Sequence, residues 1–116
     1  MIKGIGMDII EIARIRHLAG RQPKLVKRVL TIKEQGDLEI LTGSRSTEFI
    51  AGRFAAKEAF AKAKGTGIGH ALSFQDIEIS KGPNGKPFFS KPEGVNAHLS
   101  ITHSREFAAA QVIIEE

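Results

Sequence analysis

Glu58 and Lys62 are an acid and a base four residues apart in Phe54-Ala55-Ala56-Lys57-Glu58-Ala59-Phe60-Ala61-Lys62. That spacing stacks them, with Phe54, along one line of a helix. At about 100° per residue, Arg53, Lys57 and Lys64 gather on another polar edge, roughly 120–140° away. A surface helix collects its charges on one side, yet here an isolated pair sits among Phe54, Ala51 and Ala55. One reading is an i,i+4 ion pair, worth about 0.3–0.5 kcal/mol on an exposed face. The other is a carboxylate and an ammonium in a partly dry site, able to hold a metal or a phosphate. The second reading needs another carboxylate from elsewhere in the chain.

Asp8 is the candidate. Residues 2–10 read as a strand, with Ile5, Met7 and Ile9 on one face and Gly4, Gly6 and Asp8 on the other. The two glycines leave room beside Asp8 for a ligand or a closely packed helix. Two carboxylates converging there suit magnesium, which takes one or two protein carboxylates and completes its shell with water and substrate phosphates. Lys62, one turn beyond Glu58, would face the same phosphates. The Gly65-Thr66-Gly67-Ile68-Gly69 loop could bring backbone N–H groups to a ligand, although as a plain connector it needs no such role. It is not a P-loop, since no Gly-Lys-Ser/Thr follows.

The elements that position these residues follow from local signals. A short helix is expected from Glu11 to near Gly20, and a second over 23–30 with Pro23 in its first turn. Thr31 and Glu34 match a capping box, which opens a third helix ending near Gly43. A long helix runs from about Thr47 to Lys64 and is closed by Gly65. Thereafter Phe74 to Ser80 alternates as a half-buried strand, Asn84-Gly85 marks a hairpin, and Phe88-Phe89 lies in the return strand. Residues 92–97 form a turn or short helix. Two further strands, His98 to His103 and Phe107 to Glu115, are joined at Ser104-Arg105-Glu106. Helices first and strands afterwards indicate an α+β fold, with the first strand joining the later sheet.

Composition narrows the class. The chain has 116 residues, enough for one domain with a real core. It contains no cysteine, hence no disulfide framework and no thiolate chemistry. Its N-terminus lacks the apolar core of a signal peptide and no segment is long enough to span a bilayer, so a cytoplasmic setting is expected, with no membrane partner. The net charge of +4 is uneven: Arg14, Arg16, Arg21, Lys24, Lys27 and Arg28 lie within fifteen positions, and no acid occurs between Glu11 and Glu34. Such a block fits an acidic partner or, more plainly, a solvated face.

Gly6-x-Asp8 together with Phe54-x-x-Lys57-Glu58-Ala59-x-x-Lys62 resembles the two signatures of the 4′-phosphopantetheinyl transferases. The short length, the Gly65-Thr66-Gly67 continuation and Ser100-Ile101-Thr102-His103-Ser104 are similar to the small bacterial members of that family. No motif position departs from the pattern. The resemblance implies one domain over residues 1–116, with helices packed on a small, mostly antiparallel sheet and assembled as a homotrimer with active sites at subunit interfaces. It implies a transferase that moves the phosphopantetheine arm of coenzyme A to a serine of apo acyl carrier protein. Adenosine 3′,5′-bisphosphate is released, and the reaction supports fatty acid biosynthesis.

On that resemblance, Asp8 and Glu58 hold Mg²⁺, and Lys62 stabilises or protonates the leaving phosphate. The serine proton goes to Glu58 or to a metal-bound water, the water being favoured because a carboxylate engaged by a metal is the poorer base. Coenzyme A contacts fall to Asp8, Lys62 and Gly65, and to Arg53, Asn84, Gly85, Pro87 and His103 from the adjacent chain. His103 has an alternative role as a structural histidine, Asn84-Gly85 one as a mere hairpin turn, and His17, His70 and His98 are read as structural or surface residues. Phe54 would exclude water beside the metal. Carrier proteins are strongly acidic, so Arg14, Arg21, Lys24 and Arg28 would dock the carrier. The rival reading is a small basic nucleic-acid-binding module. The absence of Tyr and Trp, and Phe residues that lie in apolar patterns, leave that reading without stacking platforms. A non-catalytic interaction domain is a third reading, against which the intact Asp8, Glu58 and Lys62 stand.

Overall fold

The computed structural model describes all 116 residues. Strand β1 (Ile2–Glu11) leads into helices α1 (Ile12–Arg21), α2 (Pro23–Val29), α3 (Ile32–Glu39) and α4 (Ser44–Lys64). A 3-10 turn at Phe74–Asp76 then precedes strands β2 (Glu78–Lys81), β3 (Pro87–Lys91), β4 (Asn96–His103) and β5 (Phe107–Glu115). The fold is α+β with every strand pair antiparallel, as expected. The strands form two sheets instead of one: β1-β5-β4, and the hairpin β2-β3. β1 does join the late strands, pairing Ile5 with Ile113, Gly6 with Val112 and Asp8 with Ala110.

Several boundaries depart from expectation. The capping box at Thr31 and Glu34 is present, but α3 stops at Glu39, four residues before Gly43. Helix α4 starts at Ser44, three residues before Thr47, and ends where Gly65 adopts the left-handed conformation at φ +84°. Phe74–Asp76 is a 3-10 turn because Asp76 accepts from the Ser73 N–H and hydroxyl, at 2.9 and 3.1 Å. The strand therefore begins only at Glu78.

Helix α4 lies across the inner face of the three-stranded sheet and supplies seven of the nineteen core residues. Ala51, Ala55, Ala56, Ala59, Phe60 and Ala61 are buried on it, against Ala108, Ala110, Val112 and Ile114 of β5. Small residues let the helix come close, and β1 answers with glycine. A Cβ on Gly4 would collide with the Ala63 carbonyl, and one on Gly6 with the Ala59 carbonyl. The room beside Asp8 is thus taken by a helix backbone. The alternating apolar residues of β1 point the other way: Ile5, Met7 and Ile9 are 57, 61 and 64% exposed on the outer face of the sheet.

Arg53 and Lys57 turn inward, and only Lys64 of that polar edge is exposed. Lys57 is completely buried and donates to Glu34 Oε1 (2.6 Å), the Val29 carbonyl (2.6 Å) and the Phe74 carbonyl (3.1 Å). Burial lowers its pKa, and the Glu34 charge opposes that shift. Glu34 also accepts from the Thr31 and Ile79 N–H groups, at 2.9 and 2.8 Å. Thr31 continues the network by donating to Glu78 Oε2 at 2.7 Å. One ammonium and one carboxylate thereby tie α4 to α2, α3, the 3-10 turn and β2.

The glycine contact yields the first prediction. Gly6→Ala must push strand from helix, backbone against backbone, so it should cost about 3 kcal/mol or more, measured by urea unfolding. A variant as stable as the parent would show that the close approach is not needed.

Candidate active site at the α4–β1 contact

The close approach of α4 to β1 brings three charged side chains together. Lys62 donates to Asp8 Oδ1 and to the Met7 carbonyl, each at 3.0 Å. Its side chain is 51% exposed and that of Asp8 only 16%. The i,i+4 pair does not form: Lys62 crosses to the strand and Glu58 is left with no hydrogen bond or ion pair, although it is half-buried. Burial pushes the Glu58 carboxyl pKa up, the nearby Asp8 charge pushes it further, and Lys62 partly opposes both. The ambiguous helix pair is therefore a three-charge site, two carboxylates and one ammonium.

The donor set fits a hard divalent cation. Asp8 and Glu58 repel one another when both are ionised, and a cation between them would relieve that repulsion. No cluster of three or more His, Cys, Asp or Glu side chains occurs. Such an ion would consequently take its remaining ligands from water and substrate, the habit of magnesium.

A second site lies around the helix. Arg53 is five residues before Glu58, so it sits about 140° around the axis and 7.5 Å along it. It faces a cavity of about 280 Å³ with Arg45, Glu48, Lys81, Pro87 and His103. Arg53 is 5% exposed, stacks on the Phe49 ring at 4.3 Å, and leaves its Nε without a partner. Burial lowers its pKa, and Glu34 and Asp37 oppose that shift. His103 Nδ1 lies 3.6 Å from Glu48. Three of the expected coenzyme-binding residues, Arg53, Pro87 and His103, thus share one basic cavity. Asn84 and Gly85 lie at the exposed tip of the β2-β3 hairpin, outside its lining.

Gly65 has a demonstrable structural task. The N–H groups of Gly65, Thr66 and Gly67 donate to the Lys62 and Ala61 carbonyls at 3.0 to 3.2 Å. These donors close α4 and are not free to cradle a phosphate. Phe54 stacks near Phe74, ring centroids 5.5 Å apart, and with Ile15, Leu25 and Val26 lines an apolar pocket beneath α1 and α2. Phe54 does pack, but against these elements; its contacts do not include Asp8.

Arg14 and Arg21 on α1 and Lys24 and Arg28 on α2 are all exposed, and none forms an ion pair. The block is an uncompensated basic face. Of the remaining histidines, His17 meets Arg21 at 3.4 Å, His98 meets Glu115 at 3.0 Å, and His70 is exposed.

Arg45, Glu48 and Lys81 escaped the sequence reading. Arg45, Phe49 and Arg53 do recur every fourth residue, a line along one helix face. Starting the helix at Thr47 hid Arg45 from it. No local signal marks Lys81, which reaches the cavity from the end of β2.

Fold and site together define a class. Residues 4–112 match the 4′-phosphopantetheinyl transferase superfamily model, and the chain belongs to that superfamily. It is accordingly a phosphopantetheinyl transferase enzyme, and its relatives carry a more particular name. The holo-[acyl-carrier-protein] synthase of Bacillus pumilus is 59% identical over 99% of this chain and 97% of that protein. The synthase of Bacillus subtilis is 56% identical over the same shares. Among solved structures, the Bacillus anthracis holo-(acyl-carrier-protein) synthase in complex with CoA (3′,5′-ADP) superposes with a TM-score of 0.93 at 52% identity, covering 99% of this chain and 97% of that one. The Helicobacter pylori synthase in complex with coenzyme A gives 0.84 at 36% identity, covering 96 and 99%. No helix here is long and apolar enough to cross a membrane.

The Glu58 shift has a measurable consequence. Its folded-state pKa lies above the ordinary 4.5, so the folded state holds that proton more tightly than the unfolded chain. The associated stability is present at low pH and is lost as pH rises from the ordinary value through the raised one. Metal-free Glu58→Gln should therefore melt above the parent at about pH 8, and the gap should close at about pH 3.5. Equal melting temperatures at both pH values would show that neither burial nor the Asp8 charge disfavours the Glu58 carboxylate.

Proposed function

We propose that this protein transfers 4′-phosphopantetheine from coenzyme A to a serine of apo acyl carrier protein, with Mg²⁺, in the supply of holo-carrier for fatty acid biosynthesis. The observation that carries this reading is the unpaired Glu58 beside the Asp8–Lys62 pair. It leaves two carboxylates and one half-exposed ammonium at a single surface point. The coenzyme complexes of the related synthases support the choice of donor.

In the reaction the serine Oγ forms a bond to the β-phosphorus of the pyrophosphate. The bond from that phosphorus to the bridging oxygen breaks, and adenosine 3′,5′-bisphosphate leaves. Asp8 and Glu58 would hold Mg²⁺, which when bound supplies charge neutralisation at the pyrophosphate. Lys62, exposed on one side, can swing its ammonium from Asp8 to the leaving phosphate and offset the charge that develops there. The serine proton passes to solvent or to Glu58. Arg45, Arg53, Lys81 and His103 gather positive charge around a cavity suited to the remaining phosphate of the coenzyme.

That cavity and the three-charge site lie on different sides of α4, which supports a site completed by a neighbouring copy. The exposed row Ile5, Met7 and Ile9, continued by Ile113 opposite Ile5, offers an apolar face for such contact. The assembly is a homotrimer in this reading. The basic face of α1 and α2 receives the acidic carrier.

Mass measurement of an apo carrier incubated with the protein, coenzyme A and Mg²⁺ should show addition of one phosphopantetheine; an unchanged mass across several carriers would sink the proposal. Asp8→Ala should slow transfer about a hundredfold or more, and near-normal turnover would remove Asp8 from the site. Ile5→Glu should convert trimer to monomer in light scattering, whereas a wild-type monomer would refute the assembly.

A further inference from the structure

Helix α2 carries Lys24 and Arg28 of the basic face, and side chains from distant parts of the chain hold its C-terminal end. A helix end leaves its last carbonyls without intrahelical partners. Here Gln75 Nε2 donates to the carbonyls of Lys27 (2.9 Å), Arg28 (3.1 Å) and Leu30 (2.8 Å), its two hydrogens shared among three acceptors. Lys57 Nζ takes the Val29 carbonyl at 2.6 Å. Gln35 Nε2 adds a second bond to Leu30, at 2.9 Å. Every carbonyl from Lys27 to Leu30 is therefore captured from outside the helix.

Two of those donors lead back to the site. Lys57 immediately precedes Glu58 on α4, and it also donates to the Phe74 carbonyl, next to Gln75. Phe74 in turn packs on Phe54 of α4. The end of the basic helix is thus registered on the catalytic helix through hydrogen bonds of fixed direction.

We propose that Gln75, together with Lys57, is a positioning residue for the carrier: it sets the last turn of α2, and with it Arg28, relative to Glu58. The inference rests on the reading of the basic face as the carrier-docking surface. Lys57 cannot be probed cleanly, because removing it leaves Glu34 buried and unpaired. Gln75 can. It is exposed and neutral, so its loss strands no charge: Lys27 and Arg28, both exposed, return their carbonyls to water, and the Leu30 carbonyl keeps Gln35. Arg28 then keeps its charge and loses its place.

Steady-state kinetics of Gln75→Leu test this. The KM for apo carrier should rise about five- to tenfold, as for the loss of a shared donor, with kcat and the KM for coenzyme A within about twofold. Because Gln75 acts through Arg28, the same change made in an Arg28→Gln background should add less than about twofold. An unchanged carrier KM, an equal rise for coenzyme A, or full additivity with Arg28→Gln would each overturn the proposal. A lowered melting temperature with unchanged carrier KM would mark Gln75 as merely structural and overturn it too. Gln75→Met is read by the same criteria if the Leu variant does not fold. Arg28→Gln and Arg14→Glu alone separate the two layers. If neither raises the carrier KM, the docking surface and the inference both fall; if they do and Gln75→Leu does not, only the inference falls.

Discussion

The backbone of α4 rests directly on the backbone of β1, and the rest of the molecule is arranged around that contact. Gly4 and Gly6 face the Ala63 and Ala59 carbonyls, with no side chain between them on the strand side. Asp8, two residues beyond Gly6 on the same face, is thereby delivered beside Glu58 and Lys62. A helix on a sheet ordinarily stands off by the thickness of two side-chain layers. At this contact the layers are missing, and the short carboxylate of Asp8 can reach an ammonium on the helix.

So close a contact on one side leaves α4 with little free surface elsewhere. Its remaining faces meet β5 and the β2-β3 hairpin largely through apolar side chains, and the α2–α3 junction through a buried charge pair. Lys57 and Glu34 fill the junction completely. Breaking such a buried pair by removing one partner costs about 3–5 kcal/mol, whereas apolar replacement of both is often neutral. Its use here is directional: an ammonium with three acceptors fixes the rotation of α4, and that rotation decides which way Glu58 and Arg53 point. Buried and half-exposed charges sit side by side on one helix and are told apart only by what surrounds them.

That mixture explains what could be read from the sequence. Thr31 with Glu34, Pro23 and Gly65 are local capping signals, and the elements they delimit appear with small shifts at their ends. Asp8, Glu58 and Lys62 were legible because their types and spacing have chemical meaning before any fold is known. Lys57 was not, since a lysine beside Arg53 looks like one more surface cation. Only Glu34, Val29 and Phe74, brought in from three other segments, make it a core residue. The alternation of β1 misled in another way: it marks Ile5, Met7 and Ile9 as one face, and that face turns away from the core of its own chain. Arg45 and Lys81 depended on a helix start and a hairpin position that no local pattern records.

The glycine contact also bears on how this site can change over evolutionary time. Most core distances are set by side-chain volume and drift as residues are exchanged. The distance between Asp8 and Glu58 is set at its base by peptide groups, which every sequence shares. Substitutions among Phe60, Val112 and Ile114 can repack the interior while this spacing stays as it is. Mutational robustness of the two carboxylates' spacing is thus separated from the variability of the core that carries them. It depends on two positions where the only acceptable side chain is none.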